Sequence, residues 1–237
     1  MKSSVSAPRV VLLDIEGTTA PVSFVHQILF PYARGCLKDY LDEHADDAAV
    51  QKIVADVRKI APDKSPAEQL ISWIDEDAKV APLKELQGLI WARGYQQGEL
   101  TARLYPDVAP VLQKWSENGL TLAVYSSGSE AAQRLIYGHT EQGDLTPLFS
   151  HFFDLRVGGK KEADSYRAIV KEAGWQAADV LFLSDVTAEL DAAAEAGLKV
   201  CQVVRPEDGT VAGTSHPVAA SLPEAARHFA LPGQEGA

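Results

Sequence analysis

The chain has 237 residues, 46% of them apolar and 23% charged, the make-up of an ordinary soluble globular protein with room for one large domain or for a core with an insertion. Lysine and arginine number 22 against 33 aspartates and glutamates, and the resulting net charge of −11 argues against a nucleic-acid or anionic-membrane surface. The two cysteines, Cys36 and Cys201, cannot build a cysteine zinc site and allow at most one disulfide, which fits a reducing cytoplasm.

Met1 to Pro8 lacks the apolar stretch of a signal peptide and reads as a flexible lead-in. No run approaches ~18 apolar residues, so no membrane span is expected. The first element, from Val10 to Leu13, is an apolar run that predicts a strand buried on both faces. It ends in Asp14-Ile15-Glu16-Gly17-Thr18-Thr19. An acid at the end of a buried strand is costly to desolvate unless something pairs with it. Asp14 and Glu16 share parity along the strand and can point into one site. Gly17 permits a sharp turn and a close backbone approach. The hydroxyls of Thr18 and Thr19 can receive an anion.

From Phe24 to about Gln97 the spacing is helical throughout, with no convincing strand. Asp46 and Asp47 precede one amphipathic helix. Ser65-Pro66-Ala67-Glu68 has the form of a capping box with proline in the first turn. The reading is a four-helix segment, residues 21–99, inserted where it could cover a site at the first strand's carboxyl end. From Tyr105 strands and helices alternate. Asp107 is expected to cap a helix that ends at Asn118-Gly119. Strands are predicted over 120–125, 151–155, 180–185 and 199–204, with helices between them and a closing helix from Leu222. This alternation predicts an α/β fold, a Rossmann-like parallel sheet with helices on both faces. The α/β core would comprise residues 8–20 and 100–230, and 231–237 would form a flexible tail.

In such a sheet the polar strand ends gather on one edge, where ligands bind. Asp14, Glu16, Ser126, Ser127, Lys160 and Asp185 all fall there. Asp14 and Asp185, with Glu16 beside them, can hold one hard divalent cation, and oxygen ligands in a small site point to Mg²⁺. Ser126 offers a hydroxyl, and the N–H groups around Ser127 and Gly128 precede a helix and suggest an anion cradle. Lys160 adds a positive charge after a glycine pair. Each part also has a plain structural reading. Ser126 to Ser129 serves equally as a helix cap, Lys160 as a solvated charge, and Asp185 as an N-cap. Their joint occurrence at successive strand ends points to phosphoryl transfer, with a carboxylate nucleophile, a metal, a hydroxyl cradle and a lysine.

This order of residues resembles the haloacid dehalogenase superfamily of aspartate-nucleophile phosphatases. Asp14 matches its nucleophile, Ser126 its second-strand hydroxyl, Lys160 its lysine and Asp185 its distal metal acid. Glu16 departs from the usual aspartate two residues after the nucleophile. With that departure the segments Asp14 to Pro21, Ile28 to Tyr32, Tyr125 to Ser129, Tyr137 to Thr140 and Phe182 to Glu189 closely resemble the acireductone-forming enolase-phosphatases of methionine salvage, over about residues 9–230. The resemblance implies a monomeric, Mg²⁺-dependent cytoplasmic enzyme with a helical cap after the first strand. It would enolise 2,3-diketo-5-methylthiopentyl-1-phosphate and then remove its phosphate to give the acireductone. By the same resemblance Asp14, Glu16 and Asp185 are metal positions. Ser126, Ser127 and Lys160 are substrate-phosphate positions. Asp14, Glu16 and Lys160 are catalytic, with Glu16 the leading base for enolisation. Whether Glu16 meets the metal through its carboxylate or its carbonyl stays open, as does Glu189, which reads as a residue orienting Lys160 or a metal-bound water and equally as a solvated helix acid. His26 and Arg34 read as surface residues before substrate contacts. The alternatives are a phosphatase of another small phosphomonoester without enolase activity, a non-catalytic binding module, and a metal-free dehalogenase, which would not require Asp185.

Overall fold

The computed structural model describes residues 7–234. Most of the expected lead-in, Met1 to Ser6, and the last three residues lie outside them. The first strand, β1 (Val10–Leu13), has no exposed residue, as its unbroken apolar run requires. It sits in the middle of a six-stranded sheet of order β3-β2-β1-β4-β5-β6, with β2 (Thr121–Tyr125), β3 (Phe149–Phe153), β4 (Val180–Ser184), β5 (Lys199–Val203) and β6 (Val218–Ala219). Every pairing is parallel, and Leu13 lies opposite both Val124 and Leu183. The carboxyl ends of β1, β2 and β4 are therefore level. Asp14 stands next to the residues that follow Val124 and Leu183, which turns distant positions in the chain into neighbours.

Two compact units share the chain: one comprises residues up to Val22 and from Ala102 onward, the other is Ser23–Thr101. In the first, one sheet face buries Leu12, Ala123, Tyr125, Phe182 and Val200 against Tyr166 and Ile169 of α8 (Ala163–Ala173) and Leu190 of α9 (Thr187–Glu195). The alternate residues Val11, Leu13, Val124 and Leu183 are equally buried. The helices α6 (Val108–Glu117) and α10 (Leu222–His228) pack against β2 and β5. Between β2 and β3 lies α7 (Glu130–Gly138).

The second unit is helical. Its apolar core joins Ala33 and Leu37 of α2 (Phe30–Glu43), Ile53 and Val57 of α3 (Ala48–Ile60), Leu70 and Trp73 of α4 (Pro66–Asp75), and Leu83 and Ile90 of α5 (Ala81–Gln96). Asp47 caps α3 by accepting from Ala49 N at 2.7 Å. Ser65 Oγ accepts from Glu68 N, and the Glu68 carboxylate accepts a hydrogen bond from the Ser65 hydroxyl at 2.7 Å, so the box closes through the hydroxyl instead of the backbone N–H. A short turn, α1 (Val22–Phe24), runs into a π-helical stretch at Val25–Leu29 that the apolar spacing did not reveal. Among the described residues no helix is long and apolar enough to cross a membrane.

Three expectations need correcting. The third strand is Phe149–Phe153, two residues earlier than expected: Phe149 already pairs with Leu122, across a register shift between Leu122 and Ala123, and Asp154 leaves the strand to open a turn. The tail is not loose as far as it is described: Leu231 is buried, and Pro232 O accepts from the Trp115 indole at 2.8 Å. Asp107 does not cap α6 with its side chain. Its carboxylate instead receives both terminal nitrogens of Arg205 at 2.9 and 3.1 Å and Leu222 N at 2.7 Å. Arg205 also donates to Thr18 O, 3.0 Å from Nη2, and so ties the loop after β1 to the end of β5.

Removing one partner of this buried pair leaves an uncompensated charge. We expect Asp107→Ala to lose about 3 kcal/mol in reversible denaturation. A loss below ~0.5 kcal/mol, the size of an ordinary surface change, would show that the pair carries no such constraint.

Candidate active site

Level strand ends bring the site together. Asp14 follows β1, Ser126 and Ser127 follow β2, Asp185 follows β4, and Lys160 sits in the loop between β3 and α8. These residues and Glu16 line one cavity of about 190 Å³, completed by Val22, Val186 and Glu189.

Lys160 is its centre. The ammonium lies 2.6 Å from Asp14 Oδ1 and 2.7 Å from Glu189 Oε2, with 9% of the side chain exposed. Burial opposes its charge, but Asp14 and Glu189 outweigh burial and hold the pKa above the ordinary lysine value. Three successive carbonyls fix its loop. Tyr125 OH donates to Gly158 O at 2.9 Å, Ser165 Oγ to Gly159 O at 2.8 Å, and Tyr166 OH to Lys160 O at 2.7 Å. The aromatic residues that pack the sheet face thus also aim the lysine.

Asp14 Oδ1 accepts from Ile15 N at 2.7 Å, and Oδ2 lies 3.2 Å from Ser184 Oγ. Behind it, Thr19 Oγ1 donates to Asp14 O at 3.1 Å and meets Tyr137 OH at 2.8 Å. Asp185 is placed from below by Gln202 of β5, whose Nε2 donates to Asp185 O at 2.9 Å. Gly17 has φ +71°, and a Cβ there would stand 2.6 Å from Asp185 Oδ2. The sharp turn and the close approach read from the sequence are both present, and the neighbour is the second acid.

Burial first, then the charge of Asp14, pushes the Asp185 carboxyl up to about 7. The same causes raise Glu189 above the ordinary carboxylate value. Asp14 and Glu189 thus pair with the one lysine of the cavity lining, and Asp185 stands there as a further acid, so acids outnumber cations in the site. Among the described residues no three His, Cys, Asp or Glu side chains form a ready-made metal cage. That donor set suits a hard cation of the Mg²⁺ type, which binds through one or two carboxylates, waters and substrate phosphate.

Further along the chain from the expected anion cradle, the first N–H groups of α7 are taken: Asp154 Oδ2 accepts Glu130 N at 3.1 Å, and Ser129 Oγ accepts Ala132 N at 3.3 Å. Gly128 N donates to Ser126 Oγ at 3.3 Å. What faces the cavity is the loop of Ser126 and Ser127 itself, and the Ser126 hydroxyl keeps its proton for a ligand oxygen.

Glu189 had several readings in the sequence, and the structure buries it on Lys160. Its spacing of one helical turn from Asp185 was the available signal. Ser184, Gln202 and Arg205 gave none, since their roles exist only across strands. Arg34 bonds Asp75 at 2.7 Å on an exposed surface, and His26 is exposed beside the Phe30 ring.

Comparison with known proteins follows the same lines. Residues 8–197 match the haloacid dehalogenase-like hydrolase family. The chain is 62% identical over 232 residues to an enolase-phosphatase E1 of Gluconacetobacter diazotrophicus, covering 98% of this chain and 99% of that protein. It is 56% identical to an enolase-phosphatase E1 of Acidiphilium cryptum over 95% of this chain and 97% of that one. Among solved structures, the UTR4 protein of Saccharomyces cerevisiae superposes with a TM-score of 0.77 at 32% identity, covering 90% of this chain and 98% of that one.

Gly17 and Gly98 both adopt positive φ, +71° and +73°, but only Gly17 faces a neighbour within 4 Å. Alanine at either position carries backbone strain, and at Gly17 it adds a collision. Gly17→Ala should lose about 1–3 kcal/mol more than Gly98→Ala in thermal or urea denaturation. Equal losses would mean that the approach to Asp185 does not constrain this turn.

Proposed function

This chain belongs to the haloacid dehalogenase-like hydrolases and, within them, to the enolase-phosphatase E1 proteins; from that premise we propose that it converts 2,3-diketo-5-methylthiopentyl-1-phosphate to 2-hydroxy-3-keto-5-methylthiopentenyl-1-phosphate, and this to the acireductone and phosphate. The observation that carries the reading is the buried Lys160 ammonium 2.6 Å from Asp14 in a cavity that Glu16, Ser126 and Asp185 also line. The same reading makes the protein a monomeric cytoplasmic enzyme of methionine salvage.

Asp14 and Asp185 would hold Mg²⁺ with their carboxylates and Glu16 with its main-chain carbonyl. When bound, the ion supplies positive charge against phosphate and carbonyl oxygens. The Ser126 hydroxyl and the Ser127 loop orient the phosphate, and Lys160 offsets its equatorial charge. In the first step the Glu16 carboxylate takes the proton from the phosphate-bearing carbon. The electron pair forms the enol double bond, and the neighbouring carbonyl oxygen takes a proton from water, which leaves Glu16 protonated for the second step. In the second step an Asp14 carboxylate oxygen attacks phosphorus and the phosphorus–oxygen ester bond breaks. The leaving oxygen takes a proton from Glu16. Water, giving a proton to Glu16, then attacks phosphorus and breaks the bond to Asp14, restoring the Asp14 carboxylate and releasing phosphate.

Purified protein with the diketo phosphate and Mg²⁺ tests both steps when enol absorbance and free phosphate are followed together. An enol transient should precede phosphate in the wild type. Asp14→Asn should abolish phosphate release, and Glu16→Gln should slow appearance of the enol by about 100-fold or more. Phosphate without an enol or acireductone would sink the enolase step and leave a phosphatase of other small phosphomonoesters. EDTA should stop phosphate release and added Mg²⁺ should restore it; full activity in EDTA would overturn the metal reading.

A further inference from the structure

Asp14 Oδ1 is fixed twice, by Ile15 N at 2.7 Å and by Lys160 Nζ at 2.6 Å. Both contacts are to one oxygen, so the carboxylate could still swing about it. The contact on the other oxygen is Ser184 Oγ, 3.2 Å from Oδ2. Ser184 ends β4 and is fully buried, and the pairing of Leu13 with Leu183 sets it beside Asp14. The same Oγ lies 3.0 Å from Glu189 Oε2 and accepts Val186 N at 3.1 Å. The Val186 bond occupies one lone pair and orients the hydroxyl. Its single proton can serve only one carboxylate at a time, while its oxygen keeps both at hydrogen-bond distance.

We propose that Ser184 is a positioning residue: it sets the plane of the Asp14 carboxylate and holds Asp14 and Glu189 in register around Lys160. This rests on the reading of Asp14 as the nucleophile. Ser184 lies outside the cavity lining, so it acts on the transfer step through Asp14 and not on capture of the substrate. Misplacement of a reacting group by a fraction of an ångström is enough to slow chemistry while binding stays intact.

The test runs wild type, Ser184→Ala and Ser184→Thr side by side on the diketo phosphate, with thermal melts of all three. Ser184→Ala should lower kcat by about 10- to 100-fold with KM changed by less than about threefold. Ser184→Thr keeps the hydroxyl and should recover most of kcat. If the added methyl lowers the melting temperature of Ser184→Thr, the split between kcat and KM in Ser184→Ala decides alone. Wild-type kcat in Ser184→Ala would overturn the proposal. So would a loss carried by KM, or a kcat that threonine fails to restore in a variant that melts like wild type. If the wild type itself releases no phosphate, the functional reading falls and this inference with it. An active wild type with an unaffected Ser184→Ala removes this inference alone.

Discussion

Burial strips the Lys160 ammonium of its hydration, and two carboxylates within 2.7 Å keep it charged. Much of the surrounding structure follows from that requirement. Glu189 must leave solvent and turn inward from α9, and Ser184 must stand where it meets both acids. The loop of Lys160 cannot drift, and Tyr125, Ser165 and Tyr166 each hold one of its carbonyls. A single acid would have balanced the lysine, but Glu189 and then Asp185 add to Asp14 and leave the cavity short of positive charge. The same groups that stabilise a lysine thus create an attraction for a cation and, through the cation, for phosphate.

The strand ends were legible because their chemistry is local: an acid closing an apolar run is visible without knowing its neighbours. Asp14 and Asp185 each carried that kind of signal, and Lys160 carried another local one, a positive charge after a glycine pair. The fold class followed from the alternation of strands and helices after Tyr105, where period and length agree. What stayed hidden is relational. Asp107 reads as a cap in isolation, and only β5 folding beside it supplies Arg205 as the stronger partner. Nothing in the sequence around Glu130 shows that Asp154, at the end of β3, takes its N–H. Two-residue β6 has no periodicity to detect, and the shifted register of β3 arises from an irregularity in its pairing with β2.

Strand β5 contributes no side chain to the cavity lining, yet it braces both acid loops. Gln202 holds the main chain at Asp185, and Arg205, just beyond the strand, holds the main chain at Thr18. Asp208, slightly further on, accepts from Val22 N at 2.7 Å and from Tyr105 OH. These contacts lie within the sheet-bearing unit and mark the places where the chain leaves it, after Val22, and returns, at Ala102. Rigid side chains in an active site need such support from behind, since a nucleophile is only as well placed as the loop that carries it.

The position of β1 also bears on how the protein comes to exist. It is made first, but its hydrogen-bonding partners begin at Thr121 on one side and Val180 on the other. During synthesis a fully apolar strand with two bare edges waits while Ser23–Thr101, which has its own apolar core, emerges. The central strand is therefore both the earliest piece of the sheet and among the last to be completed. Such non-local pairing is slow relative to local contacts, and until it is made the apolar edges of Val10 to Leu13 are open to other chains.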